Sequence, residues 1–116
     1  MKLTSTEIRF MALIWDNEPI PSGELVSICA DIFDWKKSTT YTFLKRLQEK
    51  GAVKNNNSMV SALVKREEIQ KVESEDVIEN TFSGSLPKFV TAFLSDKKLS
   101  KKEVDDLKKL IDNYKE

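Results

Sequence analysis

Apolar residues recur along this chain at helical spacing, give way once to a short strand-like stretch, and then return to helical spacing up to the carboxyl end. In "TSTEIRFMALIWDN" (4–17), Ile8, Met11, Ala12 and Trp15 fall at i, i+3, i+4 and i+7, which predicts one apolar stripe of a helix. Thr4 and Glu7 stand at the spacing of a capping box, where each side chain satisfies a free amide of the first turn. "EPIP" (18–21) breaks the pattern. Ser22 is then the expected N-cap of a second helix with Leu25, Ile28, Cys29 and Ile32 on one face, so Cys29 reads as core packing. A third helix over 38–50 puts Thr40, Phe43, Leu44 and Leu47 inward and stops at Gly51, which suits a left-handed turn.

Next, "AVK" (52–54), the turn-prone "NNNS" (55–58) and "MVSALV" (59–64) predict two short strands joined as a hairpin, a wing over 52–64. The predicted fold is mainly α with a small β-hairpin wing, in the order helix, helix, helix, hairpin. That is the order of a winged helix-turn-helix, in which the third helix is offered to the DNA major groove and the hairpin flanks it.

Charge sharpens this reading. The chain as a whole is neutral, with 19 basic and 19 acidic residues. Yet between residues 36 and 54 six basic side chains (Lys36, Lys37, Lys45, Arg46, Lys50 and Lys54) face a single acid, Glu49. Neutralising phosphates releases counterions and drives binding, so positive charge belongs on the helix that meets DNA. Balanced charge elsewhere keeps such a protein off unrelated polyanions. The plain alternative is a solvated helix that happens to be basic.

From Lys65 the composition changes. "KREEIQKVESEDVIENTF" (65–82) predicts a charged helix with Ile69, Val72, Val77, Ile78 and Phe82 as its apolar positions, ended by "SGS" (83–85). "LPKFVTAFLSD" (86–96) carries Leu86, Phe89, Val90, Phe93 and Leu94 on one face. Ser100 and Glu103 form a second capping box, followed by Val104, Leu107, Ile111 and Tyr114 at 3-4-3 spacing with Leu110 beside them. The expected organisation is a winged-helix domain over 1–66 and a helical region over 67–116. The second region has too little interior to be stable alone, so it folds back on the first or pairs with a second copy. Three phenylalanines and a short heptad seam favour pairing.

Composition excludes much chemistry. There is no histidine, the three glycines stand far apart, and a single cysteine has neither a partner for a disulfide nor a histidine to make it a nucleophile or metal ligand. The carboxylates mostly neighbour lysines on helical faces. Neither an enzyme nor a cofactor or metal protein is expected. The longest apolar runs, "FMALIW" and "FVTAFL", fall well short of the roughly 20 residues a bilayer needs, and the lone cysteine suits a reducing cytoplasm.

With these elements placed, the sequence resembles the penicillinase repressor family, the BlaI/MecI type, over nearly its full length. "TEIRFMALIW" (6–15) is similar to the family's opening Ala-Glu-Trp-x-Val-Met-x-x-x-Trp pattern. The aspartate-tryptophan pair, threonines, Arg-Leu and Lys-Gly between Asp34 and Gly51, "LVKREEI" (63–69), and "FVTAFLSDKKLSKKEVDDLKKLI" (89–111) follow in the family's order.

The resemblance implies a cytoplasmic homodimeric repressor. Two winged helices would occupy the half-sites of a palindromic operator, and the carboxyl-terminal helices would hold the dimer. A membrane sensor-protease that responds to a β-lactam would lead to cleavage of the dimerisation region, on the Ala92–Phe93 bond.

By this resemblance Ser38, Thr39, Tyr41, Thr42 and Arg46 take the contacting positions of the third helix. Lys36, Lys37, Lys45 and the wing residues Asn55, Asn56 and Asn57 complete the expected DNA-binding set. The expected dimer seam is Phe82, Leu86, Phe89, Val90, Phe93, Leu94, Val104, Leu107, Leu110, Ile111 and Tyr114.

The chain departs from the family at several of these positions. Ser38 and Tyr41 stand where the family helix is basic, and Lys36 and Lys37 stand where it commonly has Ser-Pro, which puts the expected helix start at Ser38. The wing lacks aromatics, and Ala92 replaces the asparagine of the family's cleavage bond. For Tyr41 two readings stay open: a side chain meeting sugar or a thymine methyl, or a tyrosine partly buried between helices. The competing reading of the whole chain is a winged-helix module that binds protein instead of DNA, favoured by the zero net charge.

Overall fold

The computed structural model describes residues 1–95 and 98–114. Its element order is α1 (Ser5–Asn17), β1 (Ile20–Pro21), α2 (Ser22–Phe33), α3 (Lys37–Glu49), β2 (Val53–Asn56), β3 (Met59–Ala62), α4 (Arg66–Phe82), α5 (Leu86–Leu94) and α6 (Lys101–Asp112). The chain divides into two compact units, Met1–Asp76 and Val77–Glu116, which meet within α4.

In the first unit, α1 starts where its sequence says it should. Thr4 accepts from the Glu7 amide at 3.1 Å and Glu7 Oε1 accepts from the Thr4 amide at 2.8 Å, which closes the capping box. The stripe read from periodicity is part of the buried surface of this helix, not all of it. Glu7, Phe10, Met11 and Ile14 are buried, while Ile8, Ala12 and Trp15 are half-buried. The helix is apolar on two adjacent faces. One meets the core, and the other forms a groove of about 290 Å³ with Ile69, Arg66 and Gln70 on the first turns of α4. The Trp15 indole donates to the Val64 carbonyl at 2.9 Å, which fixes the chain entering α4.

The N-cap of α2 is Pro21, and Ser22 is the first helical residue, buried and without a capping bond. Its hydroxyl is taken up from another direction, described below. Leu25 and Cys29 are buried, whereas Ile32 is 54% exposed; in the same last turn it is Phe33 that packs against the core. The helix ends at Asp34 in a left-handed conformation, φ 58°. Burial pushes the Cys29 thiol above its ordinary value, and the nearby Thr40 hydroxyl acts in the other direction without reversing the shift. That hydroxyl makes no hydrogen bond meeting ordinary geometry. Cys29 is thus a core side chain.

The third helix begins one residue earlier than expected. Lys36 holds the extended N-cap position, and Lys37 is helical. Thr40, Leu44 and Leu47 are buried and Phe43 is half-buried. Gly51 takes φ 78°, so the chain reverses there without a Cβ penalty, and the Ala52 amide donates to the Leu47 carbonyl at 2.9 Å.

The wing is tighter than the sequence suggested. The turn is only Asn57–Ser58, at φ 52° and 66°, so Asn55 and Asn56 belong to β2 and pair with Val60 and Met59. Positive φ at both central residues is the requirement of a two-residue hairpin of the I′ kind, and asparagine tolerates it. A third strand, not anticipated, completes an antiparallel sheet of order β1-β3-β2, with Ile20 opposite Val60. Two residues between a helix break and a helix start leave no alternation to detect.

In the second unit, Ser85 caps α5 by accepting from the Lys88 amide at 3.2 Å, and the Ser100–Glu103 capping box opens α6 as expected. Phe82, Phe89 and Phe93 form a short aromatic run, with successive ring centroids 5.4 and 5.9 Å apart. No residue described in α5 or α6 is buried.

Candidate nucleic-acid interface

The outer face of α3 follows from its inner face. With Thr40, Leu44 and Leu47 turned to the core, a period of 3.6 residues places Ser38, Thr42, Lys45 and Glu49 along the opposite line. All four are exposed. Tyr41 stands on one shoulder of this line, and Thr39 and Arg46 stand on the other.

The side chains of this face are already partly committed. Tyr41, 36% exposed, donates its hydroxyl to Ser22 Oγ at 3.2 Å. Lys37 Nζ lies 5.9 Å from the centre of the Tyr41 ring, at the outer limit of a cation–π contact. Thr42 donates its hydroxyl to the Ser38 carbonyl at 2.9 Å. The Arg46 guanidinium lies over the Phe43 ring at 4.8 Å, and among the described residues it has no carboxylate partner within ion-pair distance.

Phe43 in turn packs on Trp35 at 4.4 Å, and Trp35 on Phe33 at 4.7 Å, with Arg9 over Phe33 at 4.9 Å. A half-buried aromatic run thus backs Arg46 and limits the rotamers its long stem can adopt. Lys36, Lys37 and Lys45 are exposed.

One of the six basic residues is tied to a buried carboxylate. Lys50 Nζ contacts Glu7 Oε1 at 2.7 Å and Oε2 at 2.9 Å. Burial pushes the Glu7 carboxyl up, but the Lys50 hydrogen bond, the Thr4 amide and the charge of Lys50 outweigh it, so the net shift is below the ordinary value of 4.5. The charge of Lys50 is therefore spent on the fold, and Lys36, Lys37, Lys45, Arg46 and Lys54 remain for the outside.

The wing residues divide. Asn57 is exposed at the tip and Asn56 is exposed on β2, while Asn55 is half-buried and its carboxamide oxygen is sealed from water without a hydrogen-bond partner. Ser22, which holds Tyr41, was read from sequence as a helix cap. Its partner stands 19 residues away, and no local pattern joins the two.

In the second unit, Leu86, Val90, Phe93, Leu107, Leu110, Ile111 and Tyr114 are exposed large apolar side chains. Phe82, Phe89, Leu94 and Val104 are half-buried. Phe89, Phe93, Leu94, Leu99 and Leu107 line an open groove of about 440 Å³ between α5 and α6. Ala92 and Phe93 both lie inside α5 and are exposed. A protease takes extended backbone into its site, so cutting this bond requires α5 to unwind locally. No described helix is long and apolar enough to cross a membrane.

The chain matches the family model described as "Penicillinase repressor" over residues 3–113. It is similar to the penicillinase repressor of Bacillus licheniformis, 23% identical over 118 aligned positions, with 98% of this chain and 92% of that protein covered. It is also similar to the methicillin resistance regulatory protein MecI of Staphylococcus aureus, 25% identical over 114 residues, covering 95% and 93% of the two chains. A MecI protein of Mammaliicoccus sciuri matches at 24% identity over the same length.

Proposed function

The chain belongs to the penicillinase repressor family, and from that membership we propose that it is a transcriptional repressor that binds a palindromic DNA operator as a homodimer, each copy placing α3 in the major groove and its wing against the adjacent backbone. The observation that carries this reading is the outer face of α3. Lys36, Lys37 and Arg46 flank an outer line that opens with the small polar Ser38 and Thr42 and continues to Lys45 and Glu49, and Arg46 is held by an aromatic ring instead of a carboxylate. The cations suit phosphates, and the small Ser38 and Thr42 allow close approach to base edges.

Pairing is supported by the exposed apolar side chains of α5 and α6. Leu110, Ile111 and Tyr114 are 70%, 72% and 73% exposed, an arrangement a lone chain in water would not favour. The second unit is too small to bury them itself. Release in response to a membrane sensor-protease, by a cut at Ala92–Phe93, is the reading drawn from the family alone. The helical state of that bond means cleavage would have to be preceded by opening of α5.

The deciding experiment is selection of binding sequences from a random duplex pool, then fluorescence anisotropy of the enriched duplex against a scrambled one over a salt series. The expected result is an enriched palindrome whose half-sites lie about one or two helical turns apart, bound with a steep negative salt slope. A pool that returns no preferred sequence, together with equal weak binding to both duplexes, would leave the protein-interaction reading standing.

A further inference from the structure

We propose that the groove between α1 and the first turns of α4 is a binding site for a small planar aromatic molecule with an N–H on its edge, of the size and class of indole.

The groove lies wholly within the first unit and measures about 290 Å³, near the lower end of cavities that hold small ligands. Its α1 wall is Ile8, Ala12 and the Trp15 ring, and its α4 wall is Ile69, Gln70 and Glu73. Trp15 is ready to receive a flat partner. Its indole N–H is held by the Val64 carbonyl at 2.9 Å, so the ring is oriented before anything binds. A wall fixed in advance spares the ligand the cost of ordering it. Aromatic rings meet one another in offset or edge-to-face contact, which a flat ligand can make and a branched aliphatic one cannot.

The space has a cause in the sequence. "TEIRFMALIW" follows the pattern Ala-Glu-Trp-x-Val-Met-x-x-x-Trp, but with isoleucine where that pattern has its first tryptophan. Ile8 lines the groove, and its side chain takes up less of that space than an indole would. The neighbouring change, Phe10 for valine, adds its volume elsewhere: Phe10 is wholly buried and packs towards Trp35 and Phe43. The groove thus lacks one aromatic ring, and the substitution beside it does not supply another.

The polar groups define the edge of the ligand. Arg66 also lines the groove, but its guanidinium is bonded to Asp16 and lies 5.4 Å from the centre of the Trp15 ring. Its charge is already met. Glu73 is half-buried and, among the described residues, has no ion-pair partner. An ionised carboxylate only accepts hydrogen bonds, so an N–H donor at the ligand's edge suits it and an anionic ligand does not.

The test is a titration of the wild-type full chain with indole, followed by proton–nitrogen correlation spectroscopy. The chain has two tryptophans, and their side-chain N–H signals report separately on the groove and on the run of Phe33, Trp35 and Phe43. The expected result is a saturable shift of the Trp15 signal, half-complete at about 0.1–1 mM as suits so small a ligand, while the Trp35 signal stays in place. Benzofuran, which has the same shape without the N–H, should bind about fivefold more weakly. Ile8→Trp, which fills the groove from the protein's side, should abolish the response of Trp15 to indole.

A Trp15 signal that stays still, or that moves without saturating, would overturn the site. So would shifts confined to α5 and α6, since the ligand would then occupy the other groove. Equal binding of benzofuran would overturn the N–H contact with Glu73, and a folded Ile8→Trp variant that still responds would overturn the place assigned beside Ile8. Should that variant fail to fold, the wild-type titrations with indole and benzofuran still decide. None of these measurements contains DNA, so their failure leaves the repressor reading untouched.

Discussion

Lys50 at the end of α3 and Glu7 in the first turn of α1, 43 residues apart in sequence, form a two-pronged ion pair whose carboxylate is wholly buried. Glu7 also caps its own helix through the Thr4 amide. One side chain therefore closes α1 and anchors the carboxyl end of α3. Lys50→Met should destabilise the first unit by about 2 kcal/mol, less than the ~3–5 kcal/mol of a fully buried pair because the lysine retains contact with water. Thermal or urea unfolding of the two proteins at neutral pH measures the difference.

The same pair sets an acid limit. The Glu7 carboxyl titrates below its ordinary value of 4.5 in the folded chain, so its contribution to stability is complete above that value. It is lost as pH falls through the lower, folded value, where the folded protein must take up the proton it resists. The stability gap between wild type and Glu7→Gln should stay constant above about pH 5 and narrow progressively below the unfolded carboxylate range. Denaturant melts at several pH values would check this. A gap that widened on acidification would mean that the carboxyl is protonated more readily in the folded state than in the unfolded one.

Tyr41→Phe separates the two readings of Tyr41. Its hydroxyl donates to the buried Ser22, so deleting it should cost about 1 kcal/mol of stability, a drop of roughly 4–8 °C in melting temperature for a unit of this size. Binding to the enriched duplex, measured well below the melting temperature, should fall by less than threefold. A large loss of affinity with an unchanged melting temperature would make the hydroxyl a DNA contact instead.

The contrast between what was legible and what was not runs along sequence separation. Both capping boxes join residues three apart, and the stop at Gly51 depends on one residue's backbone freedom, so they could be read directly. The apolar stripe of α1 is only part of what the helix buries: Met11 is in the core with Ile8 and Trp15 packed against it, and Phe10 and Ile14 beside the stripe are buried too, which periodicity alone does not reveal. The outer line of α3 followed once its inner residues were known. The Tyr41–Ser22 and Lys50–Glu7 contacts close over 19 and 43 residues, and no local pattern marks either. Asn55 misled for another reason: a run of three asparagines signals a turn, but the strand ladder extends until only Asn57 and Ser58 remain outside it.

Arg46→Ala tests whether the shoulder of α3 meets phosphate. Arg46 rests on Phe43 and has no carboxylate partner among the described residues, so its charge is available to an outside anion. Affinity for the enriched duplex should fall, and the slope of log K against log salt should become shallower by about 0.9, the share of one phosphate. An unchanged slope with reduced affinity would assign Arg46 to the fold or to a base edge.

The dimer seam can be tested without disturbing the second unit's own packing, and the choice of residue matters. Leu107 lines the groove formed with Phe89 and Phe93 and is 45% exposed, so a charge placed there strikes packing within the unit as well as any partner. Leu110 and Ile111, at 70% and 72% exposure, touch little of their own chain. Leu110→Glu or Ile111→Glu should therefore keep the helical circular dichroism of the wild type. By light scattering each should shift the protein towards the 13.3 kDa of one chain. Operator affinity should fall by about a hundredfold or more, because the second half-site would no longer be held close by the first. A variant that remains paired would move the seam off α6 and onto the phenylalanine face of α5. A wild type that is itself a monomer at every concentration would remove the homodimer from the proposed function.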